Sequence, residues 1–159
     1  MLKLWLARHG EAVDSDMARS DFDRVLTENG RRQLSELTRW LIEREAPPEL
    51  ILHSPLVRAR QTAETIAAEI GADLDILRVE NVLAPGIDPV ALFKRLSEAR
   101  PERVLCVGHQ PDMSHCTAEM IGGGFIQFSP GTIAGIEFNG PVIRHAGRLR
   151  WLASPRWFG

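Results

Sequence analysis

Apolar residues come in short runs set between longer polar stretches, and the spacing changes from run to run. Leu2 to Ala7 is nearly all apolar and six residues long, as in a strand buried on both faces. After a polar loop from Glu11 to Arg24, Thr27 is placed to cap a helix. Leu34, Leu37, Thr38, Leu41 and Ile42 behind it share one helical face, and Ala46-Pro47-Pro48 ends the segment. Leu50-Ile51-Leu52 forms a second strand. Pro55 stands near the start of a second helix whose apolar face is Ala59, Ala63, Ile66, Ala67 and Ile70, with Gly71 as its stop. A third strand is expected over Leu74 to Val79, then a loop from Glu80 to Ile87. Asp88-Pro89 caps a third helix reaching about Ala99.

A fourth strand covers Arg103 to Val107. Pro111 opens a fourth helix with Met113, Cys116, Thr117, Met120 and Ile121 inward, and three glycines from Gly122 form a turn. Thr132 to Phe138 and Leu149 to Ala153 leave no room for an intervening helix, so they are expected to be antiparallel to each other. Strand and helix alternate through the first part of the chain. That predicts an α/β fold, a three-layer αβα sandwich with a mostly parallel sheet carrying a mixed antiparallel edge.

Composition adds bounds. With 159 residues, 44% hydrophobic and 25% charged, the chain fits one ordinary globular domain over residues 1–159. A net charge of −2 gives no general attraction to nucleic acid or anionic membrane, so an anion site must be built locally from a few arginines. Cys106 and Cys116 form no metal-binding or C-x-x-C pattern, in keeping with a reduced, cytoplasmic protein. The apolar run at the N-terminus is too short for a signal peptide, and no stretch approaches the roughly 20 apolar residues of a membrane span.

Polar groups follow directly on three of the strands: Arg8-His9-Gly10 on the first, His53-Ser54-Pro55 and then Arg58 on the second, Gly108-His109-Gln110-Pro111 on the fourth. In open α/β sheets, ligands bind at the carboxyl ends of the strands. Arginine forks suit phosphate oxygens, and helix N-termini add N–H donors. A histidine inside a cationic ring is expected to have its pKa lowered by like charge, which leaves a neutral nucleophile near pH 7. His53, His115 and His145 are expected to be structural or surface residues. A metal site built from His9, His53, His109 and Glu11 is disfavoured by the neighbouring arginines. The acidic residues Asp14, Asp16, Asp21 and Asp23 read as a solvated loop.

The run Leu6-Ala7-Arg8-His9-Gly10-Glu11 resembles the signature of the histidine phosphatase superfamily, whose members share a phosphoglycerate mutase-like fold. The resemblance continues, in order, through Leu26-Thr27-Glu28-Asn29-Gly30, the segment Ser54 to Ala63, and Val107-Gly108-His109. It implies that His9 is a catalytic nucleophile that becomes phosphorylated. It also implies that Arg8, Arg58 and His109 are catalytic residues that bind the phosphoryl group of the substrate, with no metal and no cofactor. Arg60, two residues beyond Arg58 on a helix, should point elsewhere.

Within the family, the short length and the Val82-Leu83-Ala84-Pro85-Gly86 loop are similar to bacterial phosphohistidine phosphatases of the SixA type. Larger members carry a general acid after the third strand. Alignment puts Val82 near that position; Glu80 is the possible general acid, and Asp88 is also nearby. An alcohol leaving group needs a proton, whereas a protonated imidazole leaves readily from phosphohistidine. The expected function is therefore a phosphatase acting on a histidine-phosphorylated protein, such as a phosphorelay or phosphotransferase-system component. The short Glu80 to Ile87 loop, which leaves no large lid, agrees with a macromolecular substrate. The alternatives are a general small-molecule phosphomonoesterase and a non-catalytic phospholigand-binding module.

Overall fold

A computed structural model describes residues 1–158. Its elements run β1 (Leu2–Arg8), α1 (Glu28–Ile42), β2 (Leu50–His53), α2 (Val57–Glu69), β3 (Leu77–Val79), α3 (Pro89–Ser97), β4 (Arg103–Gly108), α4 (Asp112–Ile121), β5 (Ile133–Phe138) and β6 (Arg148–Ala153), with short 3-10 turns between some of them. The six strands form one sheet in the order β3-β2-β4-β1-β5-β6. β1, β2, β3 and β4 are mutually parallel. β5 runs antiparallel to β1, and β6 antiparallel to β5. The αβα architecture with a mixed edge is therefore as expected.

Alternation along each strand decides which layer it supports. Leu2, Leu4 and Leu6 of β1 join Leu52, Val104 and Cys106 on one face, packed under Leu92, Phe93 and Leu96 of α3 and Met113, Cys116 and Met120 of α4. Trp5 and Ala7 join Ile51, Leu105 and Val107 on the other face, beneath Leu37 and Leu41 of α1 and Ala59, Ala63 and Ile66 of α2. Both faces of the central strands are dry, which is why those strands read as continuous apolar runs.

The helices start where their caps stand. The Thr27 hydroxyl accepts the Gly30 N–H at 2.9 Å, and the Asp88 carboxylate accepts the Val90 N–H at 3.0 Å. Gly71 after α2 and Gly122 after α4 take positive φ, of 68° and 102°. One element differs from expectation. Leu74 to Val79 is not a single strand: Leu74–Ile76 is a 3-10 turn and only Leu77–Val79 pairs with β2. Leu74 is exposed, so the apolar residues of this segment do not all face one layer.

Candidate active site

The strand order places the carboxyl ends of β2, β4 and β1 side by side, with β4 in the middle. Arg8 is in register with Gly108, and the His9 N–H donates to the Gly108 carbonyl at 3.0 Å. The Ser54 N–H donates to the Val107 carbonyl at 3.0 Å. Three strand ends are thus stitched together by backbone hydrogen bonds one residue beyond, or at, the last paired position. This brings His9, Arg58 and His109 to one edge although 100 residues separate the first from the last.

His9 is held at every polar atom. Its carbonyl accepts the Gly131 N–H at 2.9 Å, and its ring Nδ1 lies 2.8 Å from the Gly10 carbonyl. A carbonyl only accepts, so Nδ1 carries the proton and Nε2 keeps its lone pair. That lone pair receives the Arg58 Nε–H at 3.2 Å. Gly10 in turn is fixed by its N–H to the Thr62 hydroxyl at 3.0 Å, and that hydroxyl donates to the Arg58 carbonyl at 2.8 Å. The start of α2 and the residue following the end of β1 are therefore tied by hydrogen bonds through Thr62.

Burial lowers the His9 pKa to about 3, and the nearby His109, Arg58 and Arg8 push in the same direction. The expectation of a neutral imidazole is met in direction, with the causes reordered. Loss of water is the leading one, and like charge adds to it. His109, whose ring centre is 5.2 Å from that of His9, is lowered to about 4, again by burial first and then by Arg58. Burial also leads in lowering the two guanidinium groups, Arg8 and Arg58.

Arg8 donates from one terminal nitrogen to the Phe128 carbonyl at 2.9 Å, while its Nε is buried without a partner among the described residues. Arg58 is almost fully buried, and its outer nitrogens reach Asp21: one donates to the backbone carbonyl at 2.7 Å, the other to the carboxylate at 3.3 Å. His109 places Nε2 2.7 Å from the Ser54 hydroxyl, and its Nδ1 is buried without a partner among the described residues. The arrangement is a neutral imidazole with a directed lone pair, two guanidinium groups, and a second imidazole with one uncommitted ring nitrogen. It can surround a tetrahedral oxyanion and deliver a nitrogen nucleophile to its centre.

The other expected positions separate cleanly. Glu80 does not join this group. Its carboxylate takes the Arg95 Nε–H at 2.6 Å and the Val82 N–H at 3.5 Å, on the α3 side of the loop. Asp88 caps α3. Arg60 is exposed and pairs with Glu64, as helical spacing requires. His53 is buried, with Nδ1 2.9 Å from the Ser54 carbonyl, a structural hydrogen bond. The acidic loop is the correction. Asp21 is not merely solvated but grips Arg58, and Arg24 steadies it with a bond at 3.1 Å. Ser54, which carries the His109 contact, was visible only as one letter of a longer motif. Among the described residues no group of three or more His, Cys, Asp or Glu side chains gathers as metal ligands do, and no helix is long and apolar enough to cross a membrane.

The fold and this edge together define the class. The sequence profile of the histidine phosphatase superfamily (branch 1) matches residues 4–80, and the chain belongs to that superfamily. Its activity class is accordingly that of a phosphatase, a hydrolase of phosphoryl groups. An uncharacterized protein of Picosynechococcus sp. is 32% identical over 98% of both chains. The phosphohistidine phosphatase SixA of Escherichia coli strain K12 is 28% identical over 97% of this chain and 94% of its own. A solved structure of the protein histidine phosphatase SixA complexed with tungstate superposes with a TM-score of 0.88 at 26% identity, covering 99% of this chain and all of that one.

Proposed function

We propose that the chain is a phosphohistidine phosphatase, which removes the phosphoryl group from a histidine-phosphorylated protein by way of a phospho-His9 intermediate. The observation that carries this is the buried Nε2 of His9, unprotonated and flanked by the Arg58 Nε–H. As substrate enters, the Arg58 Nε–H, still bonded to Arg58, exchanges its acceptor from Nε2 to a phosphoryl oxygen and so frees the lone pair. Nε2 attacks phosphorus. The substrate imidazole carries a solvent-supplied proton on its other ring nitrogen; its bond to phosphorus breaks, the electron pair stays on the departing nitrogen, and the ring leaves as neutral imidazole. Water then attacks phospho-His9, the bond from phosphorus to Nε2 breaks, and inorganic phosphate leaves with His9 restored. Arg8, Arg58 and the free Nδ1 of His109 hold the oxygens through both steps, where charge builds in a dry site.

The absence of Glu80 from the cluster supports a leaving group that does not need an enzyme-held proton, because the Glu80 carboxylate is occupied by Arg95. Similarity to a phosphohistidine phosphatase and to a protein histidine phosphatase supports a histidine-phosphorylated protein as substrate, and a phosphorelay or phosphotransferase-system component is a substrate of that kind. A panel of a phosphohistidine protein, phosphoserine, phosphotyrosine and a sugar phosphate tests the assignment. Preference for phosphohistidine is expected, with an acid-labile adduct of one phosphoryl group on the protein that is lost in His9→Ala, and with Glu80→Gln as active as the parent. Comparable turnover of the sugar phosphate would replace this reading with a general phosphomonoesterase. Phosphate binding without any adduct would replace it with a non-catalytic module.

A further inference from the structure

We propose that Ser54 is a positioning residue that fixes the proton of His109 on Nδ1, so that the uncommitted ring nitrogen is a hydrogen-bond donor. The inference rests on the reading of His109 as a phosphoryl ligand and adds the group that makes it one. Two hydrogen bonds meet at the Ser54 hydroxyl. It accepts the Leu56 N–H at 3.2 Å, and it lies 2.7 Å from His109 Nε2. A hydroxyl has one hydrogen to give. With an acceptor site already used by the backbone of the α2 entrance, that hydrogen is free to be donated to Nε2.

The alternative tautomer, Nε2–H donating to Ser54, would leave a lone pair on Nδ1. Nδ1 is buried and has no partner among the described residues. A lone pair there would face phosphoryl oxygens with repulsion, whereas an N–H there gives them a hydrogen bond. Ser54 therefore plays for His109 the part that the Gly10 carbonyl plays for His9. One dictates the tautomer by donating, the other by accepting, and the two imidazoles end as donor and nucleophile. Ser54 is itself fully buried, and its N–H is tied to the end of β4, so its hydroxyl has little freedom to choose another partner. Burial also keeps His109 from becoming the doubly protonated ring that would make tautomer control irrelevant.

Nitrogen-15 NMR of histidine-labelled protein, with and without inorganic phosphate, reads the tautomer directly. In the parent protein the His109 ring is expected as the Nδ1–H form, with Nδ1 shifted by phosphate. In Ser54→Ala it is expected to move towards the Nε2–H form, with kcat/KM falling about 3- to 10-fold, the worth of one ordinary hydrogen bond. An Nε2–H ring that still responds to phosphate in the parent protein overturns the role of Ser54 and leaves His109 as a ligand. An Nδ1–H ring that phosphate does not move overturns the reading of His109 and the proposal with it. Ser54→Ala with the parent tautomer and parent turnover also overturns it. The parent spectrum decides even where Ser54→Ala fails to fold.

Discussion

In the resting protein the Arg58 Nε–H occupies the lone pair that His9 must use, and the outer nitrogens of Arg58 are occupied by Asp21. An entering phosphoryl group has to compete for both. The Asp21 carboxylate is largely exposed, and Arg24 and Arg58 hold its pKa below the usual carboxylate range, so it stays charged at the mouth of the site. Asp21→Asn keeps the backbone carbonyl and a side-chain oxygen for Arg58 but removes the charge that repels the incoming anion. Inorganic phosphate is expected to bind about two- to fivefold more tightly to this variant at low ionic strength, the scale of an exposed charge pair, with the gain shrinking as salt rises. Calorimetric titration that finds unchanged or weaker binding would remove Asp21 from the electrostatics of the site. His9, Arg58 and His109 were legible in the sequence because each sits in a short motif at a strand end or helix start. Asp21 was not, since its loop has no periodicity and its partner is distant in the chain. The contact between Ser54 and His109 was hidden for the same reason: adjacency across 55 residues leaves no local pattern.

Among the elements, α1 shows why the Leu26 to Gly30 step has the form it does. The Glu11 carbonyl accepts the Thr27 N–H at 3.0 Å, and the Glu11 carboxylate takes the Thr27 hydroxyl at 2.7 Å and the Asn29 amide at 3.1 Å. The first turn of α1 is thereby docked on the residue two beyond His9. A Cβ on Gly30 would lie 2.3 Å from the Glu11 carbonyl oxygen, a backbone atom that has no flexible end to yield. Gly30→Ala is therefore expected to destabilise the protein by about 1–3 kcal/mol, as overpacking does, despite the better helix propensity of alanine. Urea unfolding with a midpoint at or above that of the parent would show that the turn can shift without cost. The helices were readable because α1 and α3 open on a side-chain cap, α2 and α4 follow a proline, and each has one apolar face. β3 was not. Leu74 to Val79 reads as one strand, and only pairing with β2, not local pattern, separates a 3-10 turn from a three-residue edge strand.

For the molecule as a whole, the sheet gathers two histidines into a dry edge, and that has a cost that should appear in stability. The antiparallel end of the sheet followed from the short connection between the last two strands, but the order β3-β2-β4-β1-β5-β6 depends on how two helical layers divide over the faces, which no stretch of sequence specifies. That order sets β4 between β1 and β2, and so buries His9 and His109 together. Their pKa values fall to about 3 and about 4 in the folded state, against about 6.5 in an unfolded chain. Between those values the unfolded state binds more protons than the folded one, so unfolding becomes easier as pH drops. The sign is fixed by the lowered values: stability should be level above about pH 6.5 and decline below it, with each histidine contributing up to about 1.4 kcal/mol per pH unit. The window from pH 6.5 to 5 lies above the range where ordinary carboxylates titrate, which isolates the histidine contribution. Denaturant unfolding at several pH values, in a buffer free of phosphate, is expected to show this slope in the parent protein and a smaller one in His9→Gln with His109→Gln. Inorganic phosphate should stabilise the parent, since it binds the folded state alone, and should do so far less in the double variant. Equal slopes in the two proteins would mean that the two histidines titrate alike whether folded or not, and that the sheet edge admits enough water to leave His9 an ordinary imidazole.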